Sequence, residues 1–388
     1  MGEFRFGLEE EYFIVDRRTA AVKSSHAEPF MKRAKKKLGP QLMYELLQSQ
    51  VEVATTPVDT PKEARQQLRC FRSTLAEAGQ SFGIGIVAAG THPLALPAQQ
   101  RTTRKRRYAT AAKDLGMVAW GNPLCGLHVH VEVPAPERRV ELMHRMVPYL
   151  PLLLALSTSS PFWATYDTGL LGYRNAANDA FPRTGFPEMF RSMDQYEAYV
   201  EALTEAQVIR DSTFIWWALR PSLRHPTLEL RLTDCCTAVD DAVAIASLYR
   251  ALVRYLVRCR GPNRPFCAIT RALTEENRWR AQRYGTGGTY FDLTSRRAIE
   301  FTALLRRTLD EVAEDVVALG LGREMAHLLT IRDRGTSAHL QLRMYKQMRK
   351  EGQTRKRALR EVARWLQACS AAGFFIETAP EPQQKAAA

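Results

Sequence analysis

The sequence predicts an α+β protein, in which β-strands and α-helices are mixed along the chain without a regular βαβ repeat. Several short segments alternate between apolar and polar residues, as strands do, and they are scattered among longer segments with the apolar spacing of helices. Two of the candidate strands, residues 213–219 and 227–233, are separated only by the turn-forming segment RPSLRHP, which is typical of an antiparallel pair. We therefore expect a mainly antiparallel sheet with helices packed against it.

The first strand and the first long helix have the clearest local signals. The segment FGLEEEYFIVD, Phe6–Asp16, is rich in aromatic and aliphatic residues, which favour a strand. Thr60-Pro61-Lys62-Glu63 provides the cap, the proline and the acid of a helix start, so a helix should run from there to about Phe82. The remaining predicted elements are a helix at Glu28–Leu38, strands within 44–61 and at 85–90, a basic, partly helical connection at 101–115, a strand at 126–133, a helix at 137–157, a polar loop at 165–190, a helix at 194–208, the two strands already named, and helices at 238–259, 270–283, 295–319, 337–349 and 355–369.

Length and composition predict one globular body. The chain has 388 residues, of which 45% are hydrophobic and 25% are charged, as in ordinary globular proteins. No stretch is biased enough in composition to act as a linker, so we expect a single domain over residues 1–377. The last segment, residues 378–388, is polar and contains prolines, which predicts a disordered tail.

Charge and cysteine usage restrict the class of protein. The formal net charge of +14 permits nucleic-acid binding, but the sequence has no zinc-finger, RNA-recognition or basic-zipper spacing. The same charge suits an enzyme that handles phosphate groups. Seven cysteines without a CxxC pair indicate reduced thiols and a cytoplasmic protein. The acidic N-terminus does not resemble a signal peptide, and the most apolar segment, residues 147–156, is too short to span a membrane.

The first strand carries a pattern that suggests a metal site. Side chains alternate between the two faces of a strand, so Glu9 and Glu11 should point to one face and Glu10 to the other. Two carboxylates on one face repel each other unless a cation lies between them. Hard oxygen ligands of this kind suit Mg²⁺ or Mn²⁺. For an isolated pair of this type, a strand end exposed to solvent is the simpler explanation.

Three further strand segments carry polar residues that belong to the same hypothesis. They are Glu45 and Glu52 in YELLQSQVE, His128 and His130 in HVHVE, and Glu229 and Arg231 in TLELRLTD. Each segment alone is weak evidence, because a single histidine in a strand is more often a hydrogen-bonded core residue than a ligand. Their apolar flanks indicate buried sheet, however, and buried carboxylates need cations or protonation. An odd number of positions separates Glu45 from Glu52, so a turn or bulge would have to bring them together.

Arginines at predicted turns and helix starts are candidates for binding phosphate or carboxylate groups. They are Arg174 and Arg183 in the polar loop, Arg220 and Arg224 between the two central strands, and Arg278 in ENRWRAQRYG. For any single one of them, ordinary surface charge is the simpler explanation. The sequence has no Walker A, dinucleotide-binding or kinase signature, so a nucleotide would be held by metals and arginines.

Seven segments together resemble the glutamate–cysteine ligase type 2 family of carboxylate–amine ligases. They are FGLEEEYFIVD, LLQSQVEVATTP, CGLHVHVEVP, FPRTGFPEMF, RPSLRHPTLELRLTDCCTAVDDA, ENRWRAQRYG and DRGTSAHLQLRMY, and they extend over nearly the whole chain. The resemblance implies a glutamine synthetase-like catalytic fold, which is a curved, mainly antiparallel sheet whose concave face binds metals, with helices packed on the outer face. It also implies ATP-dependent ligation of a carboxylate to an amine, and it favours a homodimer.

The resemblance further implies a role for each candidate residue. One Mg²⁺ would be held by Glu11, Glu45 and Glu52, and a second, which bridges the phosphates of ATP, by Glu9, His128 and Glu229. Arg231 would face the transferring phosphoryl group, and His130 would face the phosphate or the substrate. Further anion contacts would come from Arg220, Arg224 and Arg278, and contacts with the substrate carboxylate from Arg174 and Arg183.

The implied reaction has two steps. The substrate carboxylate first takes the γ-phosphoryl group of ATP and becomes an acyl phosphate, and the amine then attacks it to form an amide. Glutamate and cysteine, or analogues of them, are the expected substrates. The sequence departs from the family at Leu127, where relatives often have cysteine, and at His339-Leu340, where they more often have an Asp-Arg pair. Two alternatives stay open: a phosphotransferase acting on a carboxylate or guanidino group and, less favoured, a nucleic-acid-binding protein.

Overall fold

Strand β1 (Phe6–Asp16) is the strand on which the main sheet is built. The computed structural model describes residues 3–25, 27–103, 114–264 and 266–377. Within this part of the chain, β1 pairs with three other strands, and each pairing is antiparallel. The predicted tail at residues 378–388 and most of the predicted basic connection at 101–115 lie outside the described residues.

Seven antiparallel strands form the main sheet. Besides β1 they are β2 (Leu42–Tyr44), β3 (Gln50–Ala54), β4 (Ile84–Val87), β5 (Leu127–Glu132), β8 (Leu219–Pro221) and β9 (Thr227–Leu230). The spatial order is β2–β3–β1–β5–β9–β8, and β4 pairs with the last part of β1. Two short hairpins are separate from this sheet: β6 (Phe162–Trp163) with β7 (Tyr166–Asp167), and β10 (Thr289–Phe291) with β11 (Ala298–Glu300).

The two faces of β1 differ in chemistry. Phe6, Leu8 and Tyr12 are buried in the hydrophobic core. Glu9 and Glu11 alternate with these residues and lie on the opposite face, where they line a cavity. This arrangement follows from the two-residue period of a strand, and it makes one side of the sheet apolar and the other side a polar floor.

Helices surround the sheet, and several of them cover its apolar side. They are α1 (Glu28–Leu38), α2 (Pro61–Gln80), α3 (Met117–Gly121), α4 (Arg139–Met146), α5 (Leu150–Ser157), α6 (Tyr173–Asn178), α7 (Met193–Glu205), α8 (Val239–Arg258), α9 (Ala268–Tyr284), α10 (Phe301–Glu311), α11 (Ala313–Leu319), α12 (Gly322–Arg334), α13 (Ser337–Lys350) and α14 (Arg355–Ala372). Helix α2 begins at the predicted capping box of Thr60 and Glu63. α2 and α14 pack on β4, and α8 packs on β5 and on α2. None of the helices in the described ranges has the length and apolar character that crossing a bilayer requires.

Two predicted helices are interrupted in the structure. The predicted helix at residues 137–157 consists of α4 and α5, which are separated by a 3₁₀ turn at Val147–Tyr149. This turn contains Pro148, which cannot donate the backbone hydrogen bond of a continuous helix. The predicted helix at 295–319 is not continuous, because the short strand β11 comes first and the helices α10 and α11 follow it. Helix α12, which comes next, was not predicted.

The apolar segment at residues 213–219 is not a strand along its whole length. Ser212–Phe214 form a 3₁₀ turn, and strand β8 begins only at Leu219. Between them, the backbone N–H of Trp216 donates a hydrogen bond to the carbonyl of Arg183, at 2.9 Å. The polar loop that was predicted at residues 165–190 therefore pairs with this segment, and the two together form one wall of the cavity.

Candidate active site

Polar side chains from adjacent strands lie side by side on the cavity face of the sheet. The register places Glu11 opposite Glu52, Glu9 opposite His128, His130 opposite Glu229, and Arg220 opposite Glu229. Residues that face each other across an antiparallel pair have neighbouring side chains. The register therefore assembles these groups, although they come from distant parts of the sequence.

Two sets of potential metal ligands result from this register. The first set, whose ligand atoms lie within 4.8 Å of one another, consists of Glu9, His128 and Glu229. The second set, defined by the same distance, consists of Glu11, Glu45 and Glu52. Glu45 follows directly after β2, and the turn between β2 and β3 brings it to Glu52 in spite of their odd separation. The structure thus brings together the same two groups of three residues that the family resemblance implies.

Two histidines surround Glu9 in the first set. His128 Nδ1 lies 3.3 Å from Glu9 Oε2, and His130 Nε2 lies 3.3 Å from Glu9 Oε1. Burial acts to raise the pKa of Glu9, but its hydrogen bonds with the two histidines outweigh burial, and the pKa lies well below its usual value. Burial and the charge of Arg231 lower the pKa of His128, which favours the neutral imidazole that a metal ion requires.

The carboxylates of the second set repel one another. Burial raises the pKa of Glu52 well above its usual value, and the charges of Glu9 and Glu45 add to this effect. Burial also raises the pKa of Glu11, against the opposing charge of His128. In the described part of the chain, none of the three carboxylates of this set forms an ion pair with a lysine or an arginine. Such a group is stable when it is protonated or when it shares a cation.

Both sets of residues fit a divalent cation. All but one of the six ligands are carboxylates, which are the donors that Mg²⁺ and Mn²⁺ prefer in proteins. The remaining ligand is His128, whose Nε2 is buried and has no hydrogen-bond partner among the described residues. A cation at the second set would also offset the repulsion that, together with burial as the larger cause, raises the pKa of Glu52.

Two arginines bind Glu229, and they differ in how many of their donors are free. Arg220 contacts the Glu229 carboxylate through two nitrogens, at 2.8 and 3.1 Å, and its Nη1 donates to the carbonyls of Thr213 and Ile215. The guanidinium of Arg231 donates one hydrogen bond, to Glu229, and makes no other hydrogen bond with the described residues. Burial raises the pKa of Glu229, but the two arginines outweigh it and the pKa is lowered. Arg220 therefore fixes the position of the Glu229 carboxylate, whereas Arg231 has N–H groups free to donate to a ligand in the cavity.

Arg174 lies at the floor of the cavity and is only 6% exposed. Its Nη1 lies 3.2–3.4 Å from the carbonyls of residues 231–233, to which it donates hydrogen bonds. Its guanidinium fills space that a side chain at Gly126 would need, because a Cβ there would lie 2.3 Å from Nη2. The same Cβ would lie 2.9 Å from His128 Nε2. Arg174 thus supports the end of β9 beside a proposed metal ligand, and its contact with a substrate carboxylate stays a prediction.

The other three predicted arginines differ in their positions. Arg224 and Arg278 line the cavity. Arg278 already forms two hydrogen bonds with the carboxylate of Asp179, at 2.7 and 3.0 Å. Arg183 is not among the residues that line the cavity, and its Cζ lies 5.6 Å from the centre of the Trp216 ring. The structure therefore places Arg183 behind the cavity wall and away from the other predicted site residues.

The cavity above this floor has a volume of about 530 Å³. One of its walls contains three aromatic residues that the sequence analysis does not identify, namely Phe181, Phe214 and Trp216. The rings of Phe181 and Trp216 meet edge to face, with their centroids 6.0 Å apart. Their segments contain no local signal for a binding site, because the apolar stretch around Trp216 predicts an ordinary buried strand.

The residues of the site belong to a pattern that extends over most of the chain. A sequence model of the glutamate-cysteine ligase family 2 (GCS2) matches residues 5–361. The chain belongs to this family. Membership in the glutamate–cysteine ligase family makes the protein a carbon–nitrogen ligase, as the sequence analysis predicts.

Relatives in the glutamate–cysteine ligase family are similar over nearly their full length. A protein of Bradyrhizobium diazoefficiens named "Putative glutamate--cysteine ligase 2" is 44% identical over 376 residues, which cover 97% of this chain and 86% of the relative. A protein of Rhodospirillum rubrum with the same name is 43% identical over 360 residues, which cover 92% of each chain.

Two solved structures share the fold. A bifunctional glutathione synthetase from Pasteurella multocida superimposes with a TM-score of 0.71 at 14% identity, over 95% of this chain and 53% of that one. This chain therefore spans about half the length of the bifunctional protein. A glutamate–cysteine ligase from Francisella tularensis, solved in complex with AMP, gives a TM-score of 0.67 at 12% identity, over 95% and 89% of the two chains. The predicted glutamine synthetase-like α+β fold with a mainly antiparallel sheet is confirmed.

The positions at which this chain departs from the family pattern lie outside the two metal-ligand sets. Leu127 is fully buried and pairs with Glu10 of β1. His339 Nδ1 accepts a hydrogen bond from the backbone N–H of Thr336, at 3.2 Å, and so caps the start of α13. Neither residue lines the cavity. Any influence of these two positions on substrate choice would therefore be indirect.

Proposed function

We propose that this ligase uses ATP to join a carboxylate to an amine through an acyl phosphate. Glutamate is the carboxylate and cysteine the amine that the family assignment supports first. The observation that carries the proposal is the convergence of two sets of metal ligands on one face of the sheet, beside an arginine with free donors. Such a floor matches the polyphosphate of a nucleotide, which needs cations and guanidinium groups around it.

Divalent cations fit both ligand sets, and we assign Mg²⁺, or Mn²⁺, to each of them. The ion nearest to the phosphates of ATP would be held by Glu9, His128 and Glu229, and the other by Glu11, Glu45 and Glu52. When bound, these cations neutralise the phosphate oxygens of ATP and of the group that is transferred.

The residues of the chain supply the remaining positive charge. Arg231 directs its free donors towards the equatorial oxygens of the transferring phosphoryl group, where negative charge is spread in the transition state. Burial lowers the pKa of His130, but Glu9 and Glu229 outweigh burial and raise it above its usual value. His130 lines the cavity, and its imidazole can donate a hydrogen bond to a phosphate oxygen.

The proposed reaction has two steps, phosphorylation of the carboxylate and attack by the amine. A carboxylate oxygen of the substrate attacks the γ-phosphorus of ATP, the bond from this phosphorus to the bridging oxygen breaks, and ADP leaves. The amine nitrogen then attacks the acyl carbon, the carbon–oxygen bond to phosphate breaks, and the nitrogen releases a proton as the amide forms. Water would hydrolyse the acyl phosphate, so the aromatic wall around Phe181 and Trp216 protects it by reducing access to the floor.

A phosphate-release screen tests this proposal. Purified protein is incubated with ATP, Mg²⁺ and a matrix of amino acids and amines, and phosphate, ADP and the organic product are measured. The expected result is phosphate release that needs both an acid and an amine and that yields an amide. A stable phosphorylated acid formed without an amine would instead indicate a phosphotransferase, and the absence of any coupled release would contradict the proposal.

A matched pair of variants tests whether the coupled phosphate release depends on the proposed metal ligands. Glu229→Gln should lower the coupled rate by about 100-fold or more, because it removes a charge on which the first metal-ligand set depends. Glu77→Gln should leave the rate unchanged, because the side chain of Glu77, on α2, is 64% exposed and its one ion pair within the described ranges is with Lys37. Equal rates for the two variants would contradict the assigned role of Glu229.

We also propose a homodimer in the cytoplasm. All seven cysteines are free thiols in the structure, which suits a reducing compartment. The family resemblance supports the dimer. Sedimentation equilibrium should give twice the mass of the chain, and a concentration-independent monomer mass would contradict this assembly.

A further inference from the structure

Glu10 lies between the proposed metal ligands Glu9 and Glu11 but points to the opposite face of β1. Its side chain is fully buried among the helices. Arg72 of α2 contacts both carboxylate oxygens of Glu10, with Nε at 3.1 Å from Oε2 and Nη2 at 2.6 Å from Oε1. The hydroxyl of Tyr12 also donates a hydrogen bond to this carboxylate. The strand that carries Glu9 and Glu11 is therefore tied to a helix through the residue between them.

Arg72 holds a second segment at the same time. Its Nη1 donates to the carbonyl of Thr237 at 2.5 Å, and its Nη2 donates to the carbonyl of Cys236 at 2.7 Å. These carbonyls belong to the segment that connects β9, which carries Glu229, to α8. Arg72 is 1% exposed and uses all its nitrogens in these contacts. One guanidinium thus connects β1, through Glu10, with the segment that follows β9, and these are two of the three strands that contribute to the first metal-ligand set.

We propose that Arg72 and Glu10 are positioning residues that fix the distance between the proposed metal ligands of β1 and β9. This inference rests on the proposed function, because it assumes that the two sets bind divalent cations. Metal affinity depends on ligand atoms being held within a few tenths of an ångström, and residues that support the ligands commonly contribute tenfold or more to it. The Arg72–Glu10 pair provides this support from the side of the sheet that no substrate reaches.

A purely stabilising role would make a different prediction. Exchanging a buried ion pair for apolar residues of similar volume is often neutral for stability, because the pair no longer has to be desolvated. The double variant Glu10→Met with Arg72→Met removes both charges together, so no buried charge is left without its partner, although the Tyr12 hydroxyl and the carbonyls of Cys236 and Thr237 lose a hydrogen bond. If the pair served only stability, this variant would bind metal as the wild-type protein does.

Mn²⁺ binding to the full-length protein in the absence of nucleotide tests the proposal. Calorimetric titration of the wild-type protein should show two Mn²⁺ per chain, which also tests the proposed function separately. The double variant should remain folded by circular dichroism but bind Mn²⁺ about tenfold or more weakly. Arg72→Lys, which keeps the charge but has one donor group instead of three nitrogens, should bind with intermediate affinity.

A matched control is available at Arg145 of α4. This arginine is 2% exposed and binds one glutamate, Glu141, together with backbone carbonyls at the end of α8, so it resembles Arg72 in burial and in its partners. In the part of the chain that the structure describes, its side chain makes no hydrogen bond with β1 or with the segment after β9. Arg145→Met should therefore change stability without changing Mn²⁺ affinity.

The outcomes separate the two hypotheses. Wild-type protein that binds no Mn²⁺ would contradict the proposed function. Wild-type protein that binds Mn²⁺, together with a double variant and an Arg72→Lys variant of unchanged affinity, would overturn the positioning role alone. If the double variant does not fold, Arg72→Lys decides: weaker Mn²⁺ binding than in the wild-type protein and in Arg145→Met supports the positioning role, and unchanged binding overturns it.

Discussion

Glu52 is the residue at which the electrostatic cost of the site is greatest. Burial and two neighbouring carboxylates raise its pKa well above the usual value. Glu52→Gln removes one negative charge and keeps the size of the side chain, so the metal-free variant should be more stable than the wild-type protein by about 1 kcal/mol. Mg²⁺ at about 100 times the dissociation constant of each site should stabilise the wild-type protein by about 2.7 kcal/mol per site, and the variant should lose the contribution of the second set. Thermal unfolding with and without Mg²⁺ measures both effects.

The variant Glu77→Gln serves as the control for this comparison, since Glu77 is exposed and does not line the cavity. Its response to Mg²⁺ should equal that of the wild-type protein. A Glu52→Gln variant that is less stable without metal, and that Mg²⁺ still stabilises fully, would show that the second set holds no cation.

His339 gives the structure a pH dependence that is independent of the ligand sets. Burial lowers its pKa to about 4, with a smaller contribution from Arg343. The folded protein therefore disfavours the imidazolium, so the stability that depends on neutral His339 is complete above about pH 6.5 and is lost as the pH falls towards about 4. His339→Gln keeps an acceptor for the cap of α13 but cannot titrate, and it should reduce this loss by up to about 2 kcal/mol. Urea unfolding of both proteins between pH 4 and 7 measures the difference, and parallel pH profiles would contradict the prediction.

At the scale of residues, the two-residue period of a strand predicts which face of the strand a side chain occupies, but it does not predict contacts with other elements. It separates Glu9 and Glu11 from Glu10, because side-chain direction in a strand depends only on position. It cannot place Arg183, which looks like an anion contact in the sequence but lies behind Trp216. It also gives no sign of Arg72, because the partner of a buried carboxylate is determined by how a distant helix packs.

At the scale of elements, the close approach of the start of β5 to Arg174 of α6 depends on Gly126. A Cβ at this position would come within 2.3 Å of Arg174 Nη2 and 2.9 Å of His128 Nε2, so one of the two side chains would have to move. Gly126→Ala should therefore lower the coupled ligation rate by about tenfold or more while the fold is retained. Steady-state rates and far-UV circular dichroism measure these two properties.

Gly322 is a matched control, because it lies at the start of α12 and a Cβ there would meet nothing within 4 Å. Gly322→Ala should keep the wild-type rate and gain a small amount of stability from the better helix propensity of alanine. A Gly126→Ala variant as active as Gly322→Ala would contradict the role given to this close approach.

The helices and strands themselves were predictable where their signals are local. The capping box at Thr60 and Glu63 determines where α2 begins, and both residues are adjacent in sequence to the helix. The unpredicted helix α12 follows α11 after a short turn in which Gly320 adopts a left-handed conformation, with φ 66°. Apolar spacing alone does not show such a break, since the helices on both sides continue the same pattern.

At the scale of the whole molecule, the site depends on a topology that no local pattern determines. Ligands from β1, β3, β5 and β9 meet because these strands are neighbours in the sheet, although the chain between them contains several helices. The family resemblance predicts that these ligands lie together, and the antiparallel register of the strands agrees with this prediction. The extent of the domain, residues 1–377 with a tail at 378–388, stays a prediction.

A crystal structure of the protein grown with Mn²⁺ and a non-hydrolysable ATP analogue would test the account most directly, because anomalous scattering locates manganese without reference to the protein. We expect two manganese peaks per chain, one among Glu9, His128 and Glu229 and the other among Glu11, Glu45 and Glu52, with the triphosphate beside Arg231. Manganese bound elsewhere, or a nucleotide bound away from this face of the sheet, would contradict the account.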